Sequence, residues 1–229
     1  MNEIIPFGDS ALLINFDQII SEIVNEKVHL LNQILLEHQK NIGISYTIPA
    51  YCSLTVVFQT SETSFEILSN KIKEIWANDQ TKTLVSQTAR LLPIPICCDD
   101  EFSLDMDEVS KQTGLARDGI KTHFMNKPYR VFMLGFTPGF PYMGLLDKSL
   151  LCRRKTNPRL KVPAGSVGLA GKQTGIYPSA SPGGWQIIGR TPIPLVDIKN
   201  EDPFLFSPGD QVKFYEISRR EFDGLIKKN

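Results

Sequence analysis

The hydrophobic pattern of the chain switches between two periods. Ala11 to Phe16 is mostly apolar and predicts a strand, entered through the turn Pro6-Phe7-Gly8-Asp9. Val24, Val28, Leu31 and Leu35 then recur at helical spacing, with Leu30 and Ile34 beside them, and Ser21 stands at a capping position. A helix is predicted from there to about Gln39. Ile42, Ile44, Tyr46 and Ile48 alternate as a half-buried strand should, and Pro49 and Ala50 break the run. Ser53 to Phe58 predicts an antiparallel neighbour. Thr63-Ser-Phe-Glu66 is a capping-box pattern and opens a helix to about Ala77, with Leu68, Ile72 and Ile75 along one side. Strand, helix, two strands and helix form a small α+β unit, followed by a polar link from Asp79 to Thr83. The predicted domains are residues 1–82 and 83–229.

The pattern is different in the second part. Leu91 to Cys97 predicts a strand, and Pro93 and Pro95 put it at a sheet edge. Asp105 to Gln112 predicts a short helix stopped by Gly114, and Asp118 to about Met125 another, with His123 near its end. Tyr129 to Leu134, Val167 to Ala170, Gly175 to Tyr177, Trp185 to Ile188 and Val212 to Ile217 all read as short strands. Gly171-Lys172 would turn one hairpin and Ser207-Pro208-Gly209-Asp210 another connection. Ser218-Arg-Arg-Glu221 is a second capping box. At least six short strands after residue 85, joined by Gly and Pro turns, suggest a β-barrel.

Composition narrows the function. The 25 basic and 25 acidic residues cancel, which argues against a general nucleic-acid binder. No apolar run approaches the roughly 18 residues of a membrane span, and the first residues lack the pattern of a signal peptide. Cys52, Cys97, Cys98 and Cys152 form no CxxC pair and read as reduced thiols of a cytosolic protein. With only His29, His38 and His123 besides, no metal site is expected.

The local charge balance is far from even. Between Lys148 and Val196 there is no Asp or Glu, while Lys148, Arg153, Arg154, Lys155, Arg159, Lys161, Lys172 and Arg190 all fall there. Ten of the sixteen glycines lie between Gly135 and Pro194, so backbone N–H groups can approach a ligand closely. A basic, glycine-rich surface suits a carboxylate or a phosphate. Two nucleotide and nucleophile motifs fail on inspection. Gly165 to Gln173 has the wrong glycine spacing for a P-loop, and Gln173 stands where Ser or Thr would hold magnesium. Ala164-Gly165-Ser166-Val167-Gly168 lacks the first glycine of a nucleophile elbow.

His123, then YRVFMLGFTPGFPYMGLL, then RRKTNPRLKVPAGSVGLAGKQTGIYPSASPGGWQIIGRTP, then SPGDQVKF resemble the KipI/PxpB family, the B-type subunits of bacterial 5-oxoprolinase, also called allophanate hydrolase subunit 1. The resemblance is dense from about residue 90 to 217 and weaker before residue 85. It implies a small α+β domain followed by a cyclophilin-like β-barrel domain. It implies a cytoplasmic hydrolase component, inactive alone, that acts with an A-type and a C-type (PxpC/KipA-like) subunit to open 5-oxoproline to L-glutamate using ATP. Mg would accompany the nucleotide, and no cofactor would be bound in this chain. Two alternatives come with the resemblance: a KipI-type inhibitor of a sensor histidine kinase, and an allophanate hydrolase or urea carboxylase component. On this resemblance Arg154 and Arg159 are expected to hold carboxylate or phosphate oxygens and His123 to move protons. Gln173 and Ser181 are expected to orient the amide. Phe140, Tyr142, Tyr177 and Trp185 are expected to wall the pocket against water, and Gly183 to lie with them among the substrate-binding residues.

Overall fold

The computed structural model describes residues 1–79 and 89–227. The chain divides into two compact units, Met1–Thr88 and Ala89–Asn229. The boundary expected between residues 82 and 83 lies outside the described residues.

The first unit contains β1 (Glu3–Pro6), β2 (Ala11–Asn15), α1 (Glu22–His38), β3 (Ile44–Pro49), β4 (Ser53–Phe58) and α2 (Phe65–Asp79). Its four strands pair antiparallel in the order β1-β2-β4-β3. Leu12, Ile14, Leu54 and Val56 of the sheet pack with Val28, Leu31 and Leu35 of α1 and Leu68 and Ile72 of α2. Asn25, buried in α1, donates from Nδ2 to the carbonyls of Ala50 and Tyr51, pinning the β3–β4 turn to the helix.

Two expectations change here. Ile42 and Ile44 are buried, but Tyr46 and Ile48 are exposed. A bulge between Ile44 and Tyr46 shifts the register of β3 on β4, and an extra residue turns the rest of a strand to the other face. The capping box at Thr63 also does not form. The first helical bond of α2 runs from the Leu68 N–H to the Ser64 carbonyl, so Ser64 is the cap, and its Oγ accepts from the Ile67 N–H at 3.3 Å.

The second unit contains β5 (Leu91–Ile96), α3 (Met106–Thr113), α4 (Arg117–Met125), β6 (Tyr129–Leu134), β7 (Pro141–Gly144), β8 (Arg159–Val162), β9 (Ser166–Ala170), β10 (Gln173–Ile176), β11 (Ser181–Gly183), β12 (Gln186–Arg190), β13 (Gln211–Glu216) and α5 (Arg219–Ile226). Seven strands form one sheet in the order β12-β9-β10-β7-β6-β13-β5, and β11 pairs with β8 in a separate ribbon. β5 carries its two prolines on the sheet's edge and, among the described strands, pairs with β13 alone, in parallel. Its end then reaches the opposite edge. The Cys97 N–H donates to the Arg190 carbonyl at 2.8 Å and the Arg190 N–H to the Cys97 carbonyl at 2.9 Å. The sheet is thereby nearly closed on itself, as the run of short strands predicts.

Inside lie Ile94, Ile96, Val131, Met143, Val167, Leu169, Ile176, Val212 and Phe214, with Ile120 and Phe124 of α4 in the same core. α3 ends at Gly114, whose φ of 74° is the left-handed cap that glycine adopts without strain. No helix of the described residues is long and apolar enough to cross a membrane.

Candidate functional site

The site is built around Asp105. The side chain of this residue is 2% exposed, and four donors meet it. Arg159 grips it with two parallel bonds of 2.7 Å, Lys155 Nζ donates at 2.8 Å, and the Ile187 N–H of β12 donates at 2.8 Å. Burial would raise the carboxyl pKa, but the bonds from Arg159, Lys155 and the Ile187 amide outweigh it and hold the group below the usual carboxylate range. The acid-free basic window is therefore answered by an acid from outside it. Asp105 reads in the sequence only as a helix start, so nothing local signals this role.

Beside this anchor, the segment from Leu151 to Asn157 borders a hollow of about 1020 Å³. Arg153, Arg154 and Lys155 line it, with Lys172 and Gly171 from the β9–β10 turn, Glu108 and Gln112 from α3, and Gln186 from β12. The segment is fixed by its own backbone. The Arg153 N–H donates to Gln112 Oε1 at 2.8 Å, and the Arg153 carbonyl accepts from Gln186 Nε2 at 2.9 Å. The Gly171 N–H donates to the Cys152 carbonyl and the Lys155 N–H to the Gly184 carbonyl, both at 2.7 Å. Cys152 lies in the wall, where burial pushes its thiol up to about 12, leaving it protonated and a poor nucleophile.

Of the residues expected at the site, Arg154 lines the hollow, and its guanidinium lies 5.8 Å over the Trp185 ring. Phe140, Tyr142, Tyr177 and Trp185 do come together. Phe140 lies 4.9 Å from Tyr142, 5.2 Å from Tyr177 and 5.5 Å from Trp185. They form a core, however, and do not line the hollow. Phe140, Tyr177 and Trp185 are buried, and only Tyr142 is partly exposed. Close packing explains the burial: a Cβ on Gly175 would stand 2.7 Å from Phe140, and one on Gly168 2.9 Å from Trp185. Gly183 has a packing reason too, since a Cβ there would lie 2.3 Å from the Tyr177 hydroxyl oxygen. Burial pushes the Tyr142 and Tyr177 phenols up, with the Arg154 charge pulling the other way.

The remaining residues sit apart from the hollow's lining. Arg159 is committed to Asp105. Gln173 is a half-buried residue of β10, and Ser181 begins β11, its Oγ buried without a hydrogen-bond partner among the described residues. Ser166 is buried at the start of β9.

His123 is exposed in the last turn of α4, with Nδ1 3.1 Å from Ser149 Oγ. Ser149 donates its hydroxyl proton to Asp147 at 2.7 Å, so its oxygen is left to accept from the imidazole. In the neutral imidazole this puts the proton on Nδ1 and the lone pair on Nε2. The order Asp–Ser–His differs from a hydrolytic triad, in which the carboxylate orients the imidazole.

Comparison with known proteins adds the lineage. Residues 2–206 match the family described as "Carboxyltransferase domain, subdomain C and D". The chain is 39% identical to the B subunit of Bacillus subtilis 5-oxoprolinase over 96% of its own length and 95% of that protein. It is similar to the crystal structure of TTHA0988, with 34% identity and a TM-score of 0.76; the match covers 91% of this chain and spans 40% of that longer one. The K. lactis urea amidolyase structure matches with a TM-score of 0.83 at 21% identity, over 99% of this chain and 15% of that one, and shares the fold.

Proposed function

The chain belongs to the family of 5-oxoprolinase B subunits, and from that membership we propose that it serves as the B component of a cytoplasmic 5-oxoprolinase, acting with A-type and C-type subunits and inactive without them. The reaction opens 5-oxoproline to L-glutamate and uses ATP. An unstrained lactam is a poor electrophile. Phosphoryl transfer to its carbonyl oxygen would make that carbon open to water, and Mg would accompany the nucleotide.

The observation that carries this reading is the basic hollow with Arg154 in its wall. Both substrates are anions, and cations held on a pinned backbone orient anions at little reorganisation cost. Arg154 is the residue assigned to hold a substrate oxygen. His123, with its proton on Nδ1, offers Nε2 as the group that takes up a proton during ring opening. Asp105 and Arg159 position the segment that carries Arg154 and do not touch substrate.

The test is reconstitution with the A-type and C-type subunits and measurement of ATP-dependent glutamate release. Arg154→Ala is expected to lower kcat/KM by roughly 30- to 1000-fold, the range for one lost charged contact to a transition state. A folded Arg154→Ala complex with full turnover would remove the residue from the mechanism. An inhibitor of a sensor histidine kinase would need no glutamate release at all, and no feature of the described residues favours that role over the hydrolase. A urea-directed role rests on a more distant likeness.

A further inference from the structure

The cations of the hollow are not equally neutralised. Lys155 is held by Asp105, whereas Arg153, Arg154 and Lys172 have no carboxylate partner among the described residues. Their backbones are anchored. Both peptide groups of Arg153 are bonded, to Gln112 and Gln186. The turn that carries Lys172 is tied on two sides, by Gly171 to Cys152 and by the Lys172 carbonyl to the Leu146 N–H at 2.8 Å. Arg154 is steadied by the face of Trp185. Three positive charges therefore border one space. Glu108 is the carboxylate in the lining; it lies on α3 and accepts from Gln112 Nε2 at 2.9 Å.

A small lactam acid brings one negative charge, which one of these cations would answer. The other two would repel each other with nothing gained. The hollow, at about 1020 Å³, is at the upper end of the roughly 300–1,000 Å³ of sites for drug-sized ligands. Both features fit a longer anion of several charges. Guanidinium forks take paired phosphate oxygens, and an ammonium adds a point charge. We infer that this hollow is a polyphosphate site, in which Arg153, Arg154 and Lys172 hold the phosphate chain of a nucleoside triphosphate, and that the lactam binds elsewhere. The identity of that nucleotide as the ATP of lactam opening rests on the function proposed above; the site itself does not.

The probe is inorganic triphosphate, titrated calorimetrically into the full chain and into its complex with the A-type and C-type subunits, with 5-oxoproline titrated in parallel. Triphosphate is expected to bind, to weaken as salt is added, and to weaken about tenfold or more in Arg153→Ala/Lys172→Ala. 5-Oxoproline is expected not to displace it. In the complex the same variant should raise KM for ATP by a similar factor and leave KM for 5-oxoproline unchanged. Should the double variant fail to fold, Lys172→Ala alone, at an exposed turn position, reads the same quantities. Triphosphate that fails to bind chain or complex, binds the variants unchanged, or is displaced by 5-oxoproline overturns the inference. Triphosphate binding without glutamate release would sink the 5-oxoprolinase reading and leave this site standing. Glutamate release in which only KM for 5-oxoproline rises in the variant does the reverse.

Discussion

Asp105 begins α3, where a short acidic side chain ordinarily caps the first turn, yet its side chain makes no capping bond. It bonds instead to Lys155, Arg159 and the Ile187 amide, joining β8 and the hollow's wall to β12. Asp105→Asn keeps the shape and removes the charge, leaving two cations around a buried neutral group. Urea unfolding should show a loss on the order of 3–5 kcal/mol. The folded carboxyl has its pKa depressed, so its contribution is present above the unfolded value of about 3.9 and is lost as pH falls through the folded one. The native chain should therefore lose stability below about pH 4 more steeply than Asp105→Asn; parallel acid-limb curves for the two would refute this. Gly183 makes a second residue-scale case. Its Cβ would collide with the Tyr177 hydroxyl oxygen at 2.3 Å, whereas one on Gly184 would meet nothing nearer than 3.5 Å. Gly183→Ala is expected to cost roughly 1–3 kcal/mol in thermal melts, and Gly184→Ala less than about 0.5.

Among the elements, two segments with the same sequence signature behave differently. Ser218-x-x-Glu221 forms the reciprocal box at the head of α5, with Glu221 returning to the Ser218 N–H at 2.8 Å. Thr63-x-x-Glu66 does not, because the helix starts one residue later, at Ser64. Ser218→Ala should cost about 1 kcal/mol by denaturant titration; equal midpoints for variant and native chain would show that the cap contributes nothing. The same contrast marks how far the sequence can be read. The helices and most strands were legible because their periods are local, whereas the short strands β1, β7, β8 and β11, too brief to show a period, were not. The face of β3 was not, because the bulge between Ile44 and Tyr46 depends on its pairing with β4. Arg154 could be picked from the acid-free window. Asp105 could not, since its partners lie far along the chain. Phe140, Tyr177 and Trp185 suggested a pocket wall, but whether a ring faces a hollow or a core depends on which glycines it meets across the sheet.

At the scale of the molecule, the described residues of the second unit's core, from Ile94 to Phe214, all belong to that unit. A fragment beginning at Ala89 is expected to keep near-UV circular dichroism and to unfold in one cooperative step. A fragment with helical signal but no near-UV signal would mean that the first unit is needed to complete the packing.

The paired amides of Cys97 and Arg190 join the two rims of the large sheet across most of that unit's sequence. Contacts between partners so remote in the chain cost more loop-closure entropy and slow folding. Until they form, each rim offers a row of unclaimed backbone groups on which a stray strand can add. Weakening this last pair of bonds is expected to leave a newly made chain more open to aggregation with its neighbours.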